Sequence, residues 1–293
     1  MFLDRYRSCP LCDSHAIGLE LQRSFHGIEV HFDRCASCNL FFQNPRLSNE
    51  AIRELYRRTN YFNDDAYSDY VKFDPIRIAH SHKRIDLIER VGGIRNGRLL
   101  DIGSATGFFG VAALERGYAV TCVEPDANMA AFGRTHYGLD FRNSIFEEAK
   151  LDPPYDVITL WGTDSHFLHP LRSFERLASL LRPGGIFAMN YQRFDHWLRW
   201  IFPKIKINWN VMYNWTDQSF HFMLGRVGLN LLDRRMEWQQ TTIDHIARAI
   251  GSRVQNSNRQ LTVKVPTVSY CMIVARRLKA VQLVTDTGQT NLL

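Results

Sequence analysis

Two stretches of the sequence decide the fold: LLDIGSATG at residues 99–107 and AVTCVEP at residues 119–125. The first has the pattern of a buried strand followed by a turn of small residues, and the second that of another strand ending in a carboxylate. The interval between them has the length of one helix, so the pair predicts a strand–turn–helix–strand unit. In such a unit the turn lets backbone approach a ligand, and the acid accepts hydrogen bonds from ribose hydroxyls. The sequence therefore predicts a nucleoside site.

The glycine spacing separates two classes of nucleoside site. A dinucleotide fingerprint needs glycine at its first, third and sixth positions, which are Gly103, Ala105 and Phe108 here, so two of the three fail. The glycines stand instead at Gly103 and Gly107, and Asp101 precedes the first by two residues. This arrangement resembles motif I of the class I S-adenosylmethionine-dependent methyltransferases. That family usually carries glycine where this chain has Ala105, and we expect a slightly tighter site from the extra methyl group.

The resemblance implies an α/β fold with a doubly wound, seven-stranded sheet of strand order 3-2-1-4-5-7-6, the Rossmann-like methyltransferase fold. The residues after position 97 support this fold, because strand-like and helix-like segments alternate as they do around a parallel sheet. Strands are predicted at residues 98–102, 119–123, 139–142, 155–161, 186–191, 229–235 and 269–276. Helices are predicted at residues 73–91, 108–116, 127–137, 171–181 and 219–227. The segment LLRPGG at residues 180–185 is a further mark of the same family.

The same resemblance implies where S-adenosylmethionine binds. In sheets of this kind the ligand lies at the carboxyl ends of the strands, where the strand order reverses. There Asp101 would orient the methionine amino group, and Glu124 would accept hydrogen bonds from both ribose hydroxyls. The alternative for Glu124 is an exposed acid after a strand. The predicted cofactor-binding residues are Asp101, Gly103, Ser104, Gly107, Glu124, Ser144, Ile145 and Trp161.

The segment WGTDSHFLHP at residues 161–170 supplies the candidate catalytic residues. His166 is the first candidate for a general base, which matters if the acceptor keeps its proton until attack. Asp164 could orient the imidazole or bind a metal, and a histidine that only holds the loop is the alternative. Relatives often carry Glu-His where this chain has Ser165-His166, so the sequence does not favour a metal-assisted mechanism.

Four of the six cysteines form two C-x-x-C pairs separated by 22 residues, Cys9 with Cys12 and Cys35 with Cys38. Four thiolates fill the tetrahedral shell of a zinc ion and leave no position for water, so the spacing predicts structural zinc. Two disulfides or a redox pair are the alternatives. Together with Asn-Pro-Arg at residues 44–46 and the helix predicted after it, this head resembles a methyltransferase subfamily that carries an N-terminal zinc ribbon.

The predicted elements divide the chain into four parts. These are a zinc-ribbon module at residues 1–46, a helical linker that covers the cofactor at 47–97, a methyltransferase domain at 98–279 and a flexible tail at 280–293. Within the linker, the tyrosine-rich stretch 61–70 could fold over the cofactor or dock the ribbon. Within the domain, the aromatic and basic residues at 192–216 predict a substrate cap that suits a flat or anionic molecule. A lid packed on the core and a dimer interface are the alternatives.

Composition and charge narrow the class of partner. The formal net charge of +6 is compatible with binding to nucleic acid. Residues 1–60, however, carry eight basic and seven acidic side chains and are nearly neutral. The basic excess lies at 234–279, with nine Lys or Arg and two Asp or Glu. The sequence contains no apolar run of 18 residues, so no membrane span is predicted. The N-terminus lacks the apolar core of a signal peptide. We therefore expect a cytoplasmic protein.

These observations predict S-adenosylmethionine-dependent methyl transfer to a small-molecule acceptor, on oxygen, nitrogen or carbon. The resemblance implies a sugar, a polysaccharide precursor or a secondary metabolite, and the cap suits an anionic or nucleotide-linked one. A ribosomal or transfer RNA base methyltransferase is the second hypothesis, and a non-catalytic zinc-ribbon interaction protein is the third. The intact Asp101, Gly103, Gly107 and Glu124 argue against the third. The sequence leaves the oligomeric state open.

Overall fold

The strand–turn–helix–strand unit predicted at residues 98–123 forms two adjacent strands of a seven-stranded sheet in the computed structural model of the chain. The structure describes residues 2–25, 27–48, 50–51, 64–195, 211–242 and 262–279. No helix within these ranges combines the length and the apolar character needed to cross a membrane.

Eleven strands and five α-helices make up the described regular structure. The strands are β1 (Ile17–Phe25), β2 (Ile28–Cys35), β3 (Phe41–Gln43), β4 (Gly97–Ile102), β5 (Tyr118–Val123), β6 (Asp140–Arg142), β7 (Tyr155–Trp161), β8 (Leu181–Gln192), β9 (Tyr213–Asn214), β10 (Leu229–Thr242) and β11 (Thr262–Arg277). The helices are α1 (Asp64–Gly92), α2 (Phe108–Glu115), α3 (Ala127–Tyr137), α4 (Pro170–Leu180) and α5 (Asp217–Arg226). A short 3₁₀ turn covers Asp164–His166.

The large sheet has the strand order β10-β11-β8-β7-β4-β5-β6. Strands β4 to β8 pair in parallel, and β11 joins β8 antiparallel, as β10 joins β11. This confirms the predicted order 3-2-1-4-5-7-6. Because β4 pairs with β5 on one side and β7 on the other, the chain reverses direction across the sheet at β4. The crevice for a ligand therefore opens at the carboxyl ends of β4 and β7.

Helices cover both faces of this sheet, as a parallel sheet requires. Alternate residues along each strand point to opposite faces, so the side chains of β4, β7 and β8 divide between two buried clusters. One cluster packs against α4 and α5, and the other against α1, α2 and α3. The first cluster also takes in Cys9, Cys35 and Cys38, so the N-terminal module shares a core with the main sheet.

Some elements extend beyond their predicted bounds. Helix α1 begins at Asp64 and contains Pro75, whereas the prediction begins at residue 73. Proline is usually found near a helix start, so the helical residues before it carry no clear signal. Strand β8 begins at Leu181, because the Arg-Pro-Gly-Gly segment that ends α4 already belongs to the strand that continues to Gln192. The two strands of the final antiparallel pair are also longer than predicted.

A second, four-stranded sheet has the order β1-β2-β3-β9. Of these strands, only β2 has a strand pattern in the sequence, because residues 28–34 alternate between apolar and polar side chains. Strand β9 comes from the segment predicted to be a substrate cap. Strand β9 pairs with β3 through Phe41 opposite Asn214 and Phe42 opposite Tyr213. The end of the cap segment therefore completes the N-terminal sheet. Residues 196–210 of that segment, Tyr61 and Phe62 of the tyrosine-rich stretch, and the tail 280–293 lie outside the described residues.

Candidate cofactor site and active site

In the turn after β4, the backbone lies unusually close to side chains of neighbouring segments. Gly103 has φ +71° and Gly107 has φ +93°, in the left-handed region that favours glycine. A β-carbon at residue 103 would lie 2.1 Å from Thr163 Oγ1, and one at residue 107 would lie 2.6 Å from Leu139 Cδ1. Both glycines are therefore required by conformation and by space.

Ala105 adopts φ +50°, which is also in the left-handed region. A residue with a side chain pays roughly 1–2 kcal/mol for this conformation. This explains why the related family usually carries glycine here. The difference from that family is thus one of backbone strain, and the amide of Ala105 keeps a hydrogen bond to Glu124 Oε2 at 2.9 Å.

Asp101, the residue before the last of β4, is a buried carboxylate, 1% exposed. Its Oδ1 accepts a hydrogen bond from Thr159 Oγ1 at 2.7 Å, while its Oδ2 has no hydrogen-bond partner among the described residues. Burial raises the pKa of Asp101 to about 7, against the opposing effects of Thr159, Ser104 and the charge of Arg84. A buried oxygen without a partner is a candidate acceptor for a ligand's donor group.

Glu124 lies at the end of β5 and is also buried, 8% exposed. It is therefore not an exposed acid after a strand. Its Oε2 accepts from Ala105 N and its Oε1 from Asp126 N, both at 2.9 Å. Burial raises the pKa of Glu124, although these two amides lower it. The carboxylate is held across the turn with further lone pairs on each oxygen, which is what binding of two hydroxyl groups requires.

The other predicted cofactor residues lie around the same edge. Ser104 is buried and its Oγ donates to Asp101 O at 2.7 Å. Ser144 and Ile145 are partly buried in the turn after β6, and Ser144 Oγ donates to Ile145 O at 3.0 Å. Asn143 joins this turn to β5, because its Nδ2 donates to the Glu124 carbonyl at 2.9 Å.

Trp161 and Arg84 form a second wall beside Asp101. The Trp161 ring packs on Phe109 with centroids 5.0 Å apart, and the Arg84 guanidinium carbon lies 4.3 Å from the Trp161 ring centroid. The charge of Arg84 also lowers the pKa of Asp101, so a positive charge acts on the buried carboxylate. The sequence analysis missed Arg84, because nothing in the sequence distinguishes it from the other arginines of α1.

A second missed residue, Asp74, connects α1 to the turn after β4 at residues 103–107, which we call the cofactor turn. It is 1% exposed and accepts hydrogen bonds from Thr106 Oγ1 and Tyr137 Oη, both at 2.9 Å. Burial raises the pKa of Asp74, while these donors and Arg77 lower it. Helix α1 is therefore fixed to the turn and to α3 by one buried carboxylate.

The segment after β7 contains both candidate catalytic residues. His166 is partly buried, and its backbone amide donates to Thr163 O at 2.9 Å, which closes the 3₁₀ turn. Asp164 is 4% exposed, and burial raises its pKa to about 7, against the backbone amides of Asp164 and Ser165 and the nearby Trp215 indole. An orienting role of Asp164 toward His166 stays a prediction.

The start of this segment is fixed by a residue that the sequence analysis also missed. Asn190 stands near the end of β8, is 7% exposed, and its Oδ1 accepts from Gly162 N at 2.8 Å. Because residue 190 pairs with Trp161 across the two strands, this amide lies where the segment leaves the sheet. No sequence motif indicates it.

The four cysteines of the two C-x-x-C pairs lie close together in space. They precede the cofactor turn by more than 60 residues in the sequence. Their Sγ atoms all lie within 4.8 Å of one another, with 3.6 Å between Cys9 and Cys38 and 3.5 Å between Cys12 and Cys35. Sulfur atoms around one tetrahedral zinc ion are separated by about 3.8 Å, given Zn–S bonds of about 2.3 Å. The cysteines are not joined by disulfides. The donor set therefore fits zinc, and within the described ranges it is the one group of three or more potential metal ligands.

Residues 60–233 match the sequence model of a family described as a methyltransferase domain. The match begins just before α1 and ends in β10, so it contains the cofactor turn, Glu124 and the segment after β7.

Two curated relatives match a shorter part of the chain. The ubiquinone biosynthesis O-methyltransferase of Aeromonas salmonicida is 30% identical over 110 residues, which are 35% of this chain and 46% of that protein. An uncharacterized methyltransferase of Mycobacterium tuberculosis is 31% identical over 109 residues, which are 36% of this chain and 43% of that protein. The chain thus spans less than half the length of these relatives.

A methyltransferase-fold structure from Bacillus halodurans superposes with a TM-score of 0.52 at 12% identity, over 68% of this chain and 99% of that chain. At this identity the likeness shows the fold alone, and it agrees with the seven-stranded Rossmann-like sheet.

Proposed function

Because this chain belongs to the methyltransferase domain family, we propose that it transfers a methyl group from S-adenosylmethionine to a small-molecule acceptor at the carboxyl edge of β4 and β7. The observation that carries the proposal is the buried Asp101 Oδ2, which has no partner among the described residues, together with the charge of Arg84 acting on that carboxylate and the buried Glu124 across the turn. These groups complement a ligand with an ammonium group, a carboxylate and two neighbouring hydroxyls.

We assign the amino-acid end of the cofactor to Asp101 and Arg84. The Asp101 carboxylate would accept a hydrogen bond from the ammonium group at the oxygen that has no partner among the described residues. Arg84, whose charge acts on the same carboxylate, would bind the cofactor carboxylate. A carboxylate and a guanidinium together complement both charges of the zwitterionic amino-acid end, which neither group could do alone.

Glu124 would hold the ribose. Each of its oxygens accepts one backbone amide and retains a lone pair for one hydroxyl. The glycine turn would pass under the ligand, and Ser144 and Ile145 would contact the base. These assignments follow the resemblance, and the burial of Glu124 supports them.

His166 would act on the acceptor. S-adenosylmethionine, when bound, supplies a methyl group that is already activated by its sulfonium. The residues of the chain must therefore align the acceptor and exclude water more than they must activate the donor. His166 would receive the proton of the acceptor. The hydrogen bond from Gly162 N to Asn190 Oδ1 fixes the position where the loop starts.

The acceptor is proposed to be a sugar, a polysaccharide precursor or a secondary metabolite, with an anionic or nucleotide-linked compound as the first type to test. The O-methyltransferase among the relatives makes hydroxyl groups the first acceptor atoms to test. The four cysteines would hold a structural zinc ion, which leaves no ligand position for catalysis. Reduced thiols of this kind are typical of cytoplasmic proteins, and we propose that location.

The test is transfer of labelled methyl from S-adenosylmethionine into fractionated cell extract, with Glu124→Ala as the matched control. Label in small molecules or glycans that depends on Glu124 supports the proposal and isolates the acceptor. Label in RNA overturns the choice of acceptor in favour of base methylation. An absence of label, together with no measurable binding of S-adenosylhomocysteine, contradicts the cofactor site itself.

A further inference from the structure

We propose that Arg46 and Tyr213 are positioning residues that couple the four-cysteine module to the His166 loop. Residues 162–168 form that loop, and its function at the acceptor side rests on the function proposed above. In this proposal, metal bound by the cysteines fixes the loop in place, while the cofactor turn does not depend on the metal.

Two side chains converge on one carbonyl of the loop. Tyr213 Oη donates to Leu168 O at 3.1 Å, and Arg46 Nη1 donates to the same oxygen at 3.4 Å. Leu168 stands two residues after His166. Arg46 comes from the N-terminal module and Tyr213 from β9, so the carbonyl joins three segments that are distant in sequence.

Arg46 depends on this contact because it is a buried cation. Arg46 is 5% exposed, and its other acceptor among the described residues is Met212 Sδ at 3.2 Å. Within the same part of the chain, Arg46 Nε has no hydrogen-bond partner and no carboxylate forms an ion pair with the guanidinium. A buried charge with so few acceptors is costly when one of them is lost. The guanidinium and the Leu168 carbonyl therefore hold each other in place.

A backbone connection runs beside this contact. Gln43 N, at the end of β3, donates to Met212 O at 2.9 Å, and Met212 N donates to Ser165 O at 3.1 Å. Ser165 directly precedes His166. One residue of the cap segment thus links the N-terminal sheet to the centre of the His166 loop through main-chain hydrogen bonds.

The hydrogen-bonded connections also reach the second cysteine pair, Cys35 and Cys38. Strand β2 ends at Cys35, and β3 pairs with β2 on one side and β9 on the other. Within the loop between the two strands, Asn39 O accepts from Thr216 Oγ1 at 3.1 Å and Ser37 O accepts from Gln218 Nε2 at 2.9 Å. The position of this cysteine pair is therefore transmitted to β9 and to the start of α5.

The cofactor turn takes its hydrogen bonds from other elements. Gly103 N and Ser104 N donate to Val123 O, Ala105 N donates to Glu124, and Thr106 Oγ1 donates to Asp74. These partners belong to β5, the residue after it and α1. Loss of metal should therefore loosen the His166 loop and spare the cofactor turn.

Hydrogen exchange measured by mass spectrometry on the full chain tests this, with metal content determined beforehand. We compare the zinc-loaded protein, the chelator-treated protein, Tyr213→Phe and Arg46→Gln. Tyr118→Phe is the matched control, because it removes a tyrosine hydroxyl that donates to the Ile94 carbonyl at 2.7 Å, away from the loop. Arg23→Gln is the control for an exposed arginine of the same module.

We expect hydrogen exchange at residues 163–168 to be about tenfold faster in both variants and after chelation. A tenfold change corresponds to the loss of about 1.4 kcal/mol, which is the size expected for a hydrogen bond to a buried group. Residues 99–107 and the Kd for S-adenosylhomocysteine should change less than about twofold, and both controls should match the native protein. Unchanged exchange at 163–168, or an equal increase at 99–107, overturns the proposal. Because this readout needs no acceptor, a failed methyl-transfer assay beside the expected exchange pattern would count against the proposed function alone.

Discussion

Thr163 lies so close to Gly103 that a β-carbon at residue 103 would be only 2.1 Å from Thr163 Oγ1. The contact joins the cofactor turn to the segment that carries His166, although the two are 60 residues apart in sequence. The structure thus places the proposed donor and acceptor sides of the reaction in direct contact at one glycine.

Gly103→Ala should therefore weaken cofactor binding as well as the fold. The new methyl group must displace Thr163, and φ +71° is strained for alanine. We expect the Kd for S-adenosylhomocysteine, measured by calorimetry, to rise at least about tenfold, or roughly 1.4 kcal/mol. Gly117→Ala is the control, since it has φ +86° and nothing within 4 Å of the added β-carbon. It should lose stability by roughly 1–2 kcal/mol and keep its affinity. Equal affinities in the two variants would contradict the close-contact argument.

Ala105→Gly should stabilise the protein. Glycine removes the roughly 1–2 kcal/mol cost of φ +50°, and part of this gain is offset because glycine makes the unfolded chain more flexible. We expect the free energy of unfolding in urea to rise by about 0.5–1 kcal/mol. The amide that donates to Glu124 is retained, so cofactor affinity should not fall. A lower free energy of unfolding would show that Ala105 is not strained.

Patterns along the chain predict most of the catalytic fold, because each signal is local. The alternation of strands and helices predicted a parallel sheet, and the resemblance to the methyltransferase family implied its strand order. The glycine spacing located the turn at Gly103 and Gly107. Asp101 near the end of β4 and Glu124 directly after β5 could be expected to lie close together, because the carboxyl ends of neighbouring parallel strands meet at one edge. Ala105 shows the limit of the pattern, since its φ value is not written in the sequence.

The residues that were missed act through contacts between distant segments. Arg84 and Asp74 are ordinary polar positions on a helix, and only the packing of α1 on the sheet brings them to Trp161 and Thr106. Strand β9 has two residues, too few for a periodic signal, and it exists because β3 offers an edge to pair with. Tertiary pairing of this kind cannot be obtained from periodicity.

Cofactor binding should depend on pH through Asp101. Burial raises its folded-state pKa to about 7, above the value of about 3.9 for an unfolded chain. The native protein therefore binds the extra proton between about pH 4 and pH 7, and this group lowers stability as the pH rises through that window. Binding of an ammonium group needs the ionised carboxylate, so the affinity for S-adenosylhomocysteine should increase about tenfold from pH 6 to pH 8.

Calorimetry in two buffers of different ionisation enthalpy measures this effect, because binding at pH 6 should release a proton. Asp101→Asn should bind weakly and without the pH dependence. Asp164→Asn should keep it, although burial also raises the pKa of Asp164 to about 7. A pH dependence that follows residue 164 and not residue 101 would overturn the assignment of the ammonium site.

Arg84→Gln should discriminate between ligands that differ at the amino-acid end. A charged hydrogen bond contributes about 1.5–3 kcal/mol, so the Kd for S-adenosylhomocysteine should rise by about tenfold or more. The Kd for 5′-methylthioadenosine, which lacks that end, should change less than about twofold, since the ribose and base contacts remain. Arg90→Gln, at an exposed position of the same helix, is the control. Equal losses for both ligands would mean that Arg84 only supports Trp161.

His166→Asn should lower turnover and leave cofactor affinity intact. If His166 receives the acceptor proton, the rate with the acceptor isolated by labelling should fall by about 10²- to 10⁴-fold, while the Kd for S-adenosylhomocysteine changes less than about twofold. Ser165→Ala is the matched control, because its backbone carbonyl still accepts from Met212 N and the loop keeps its place. The increase of the rate with pH in the native enzyme should be absent from the His166→Asn variant. Normal turnover in this variant would assign His166 to holding the loop, and a parallel loss in Ser165→Ala would point to disturbed loop geometry instead of lost proton transfer.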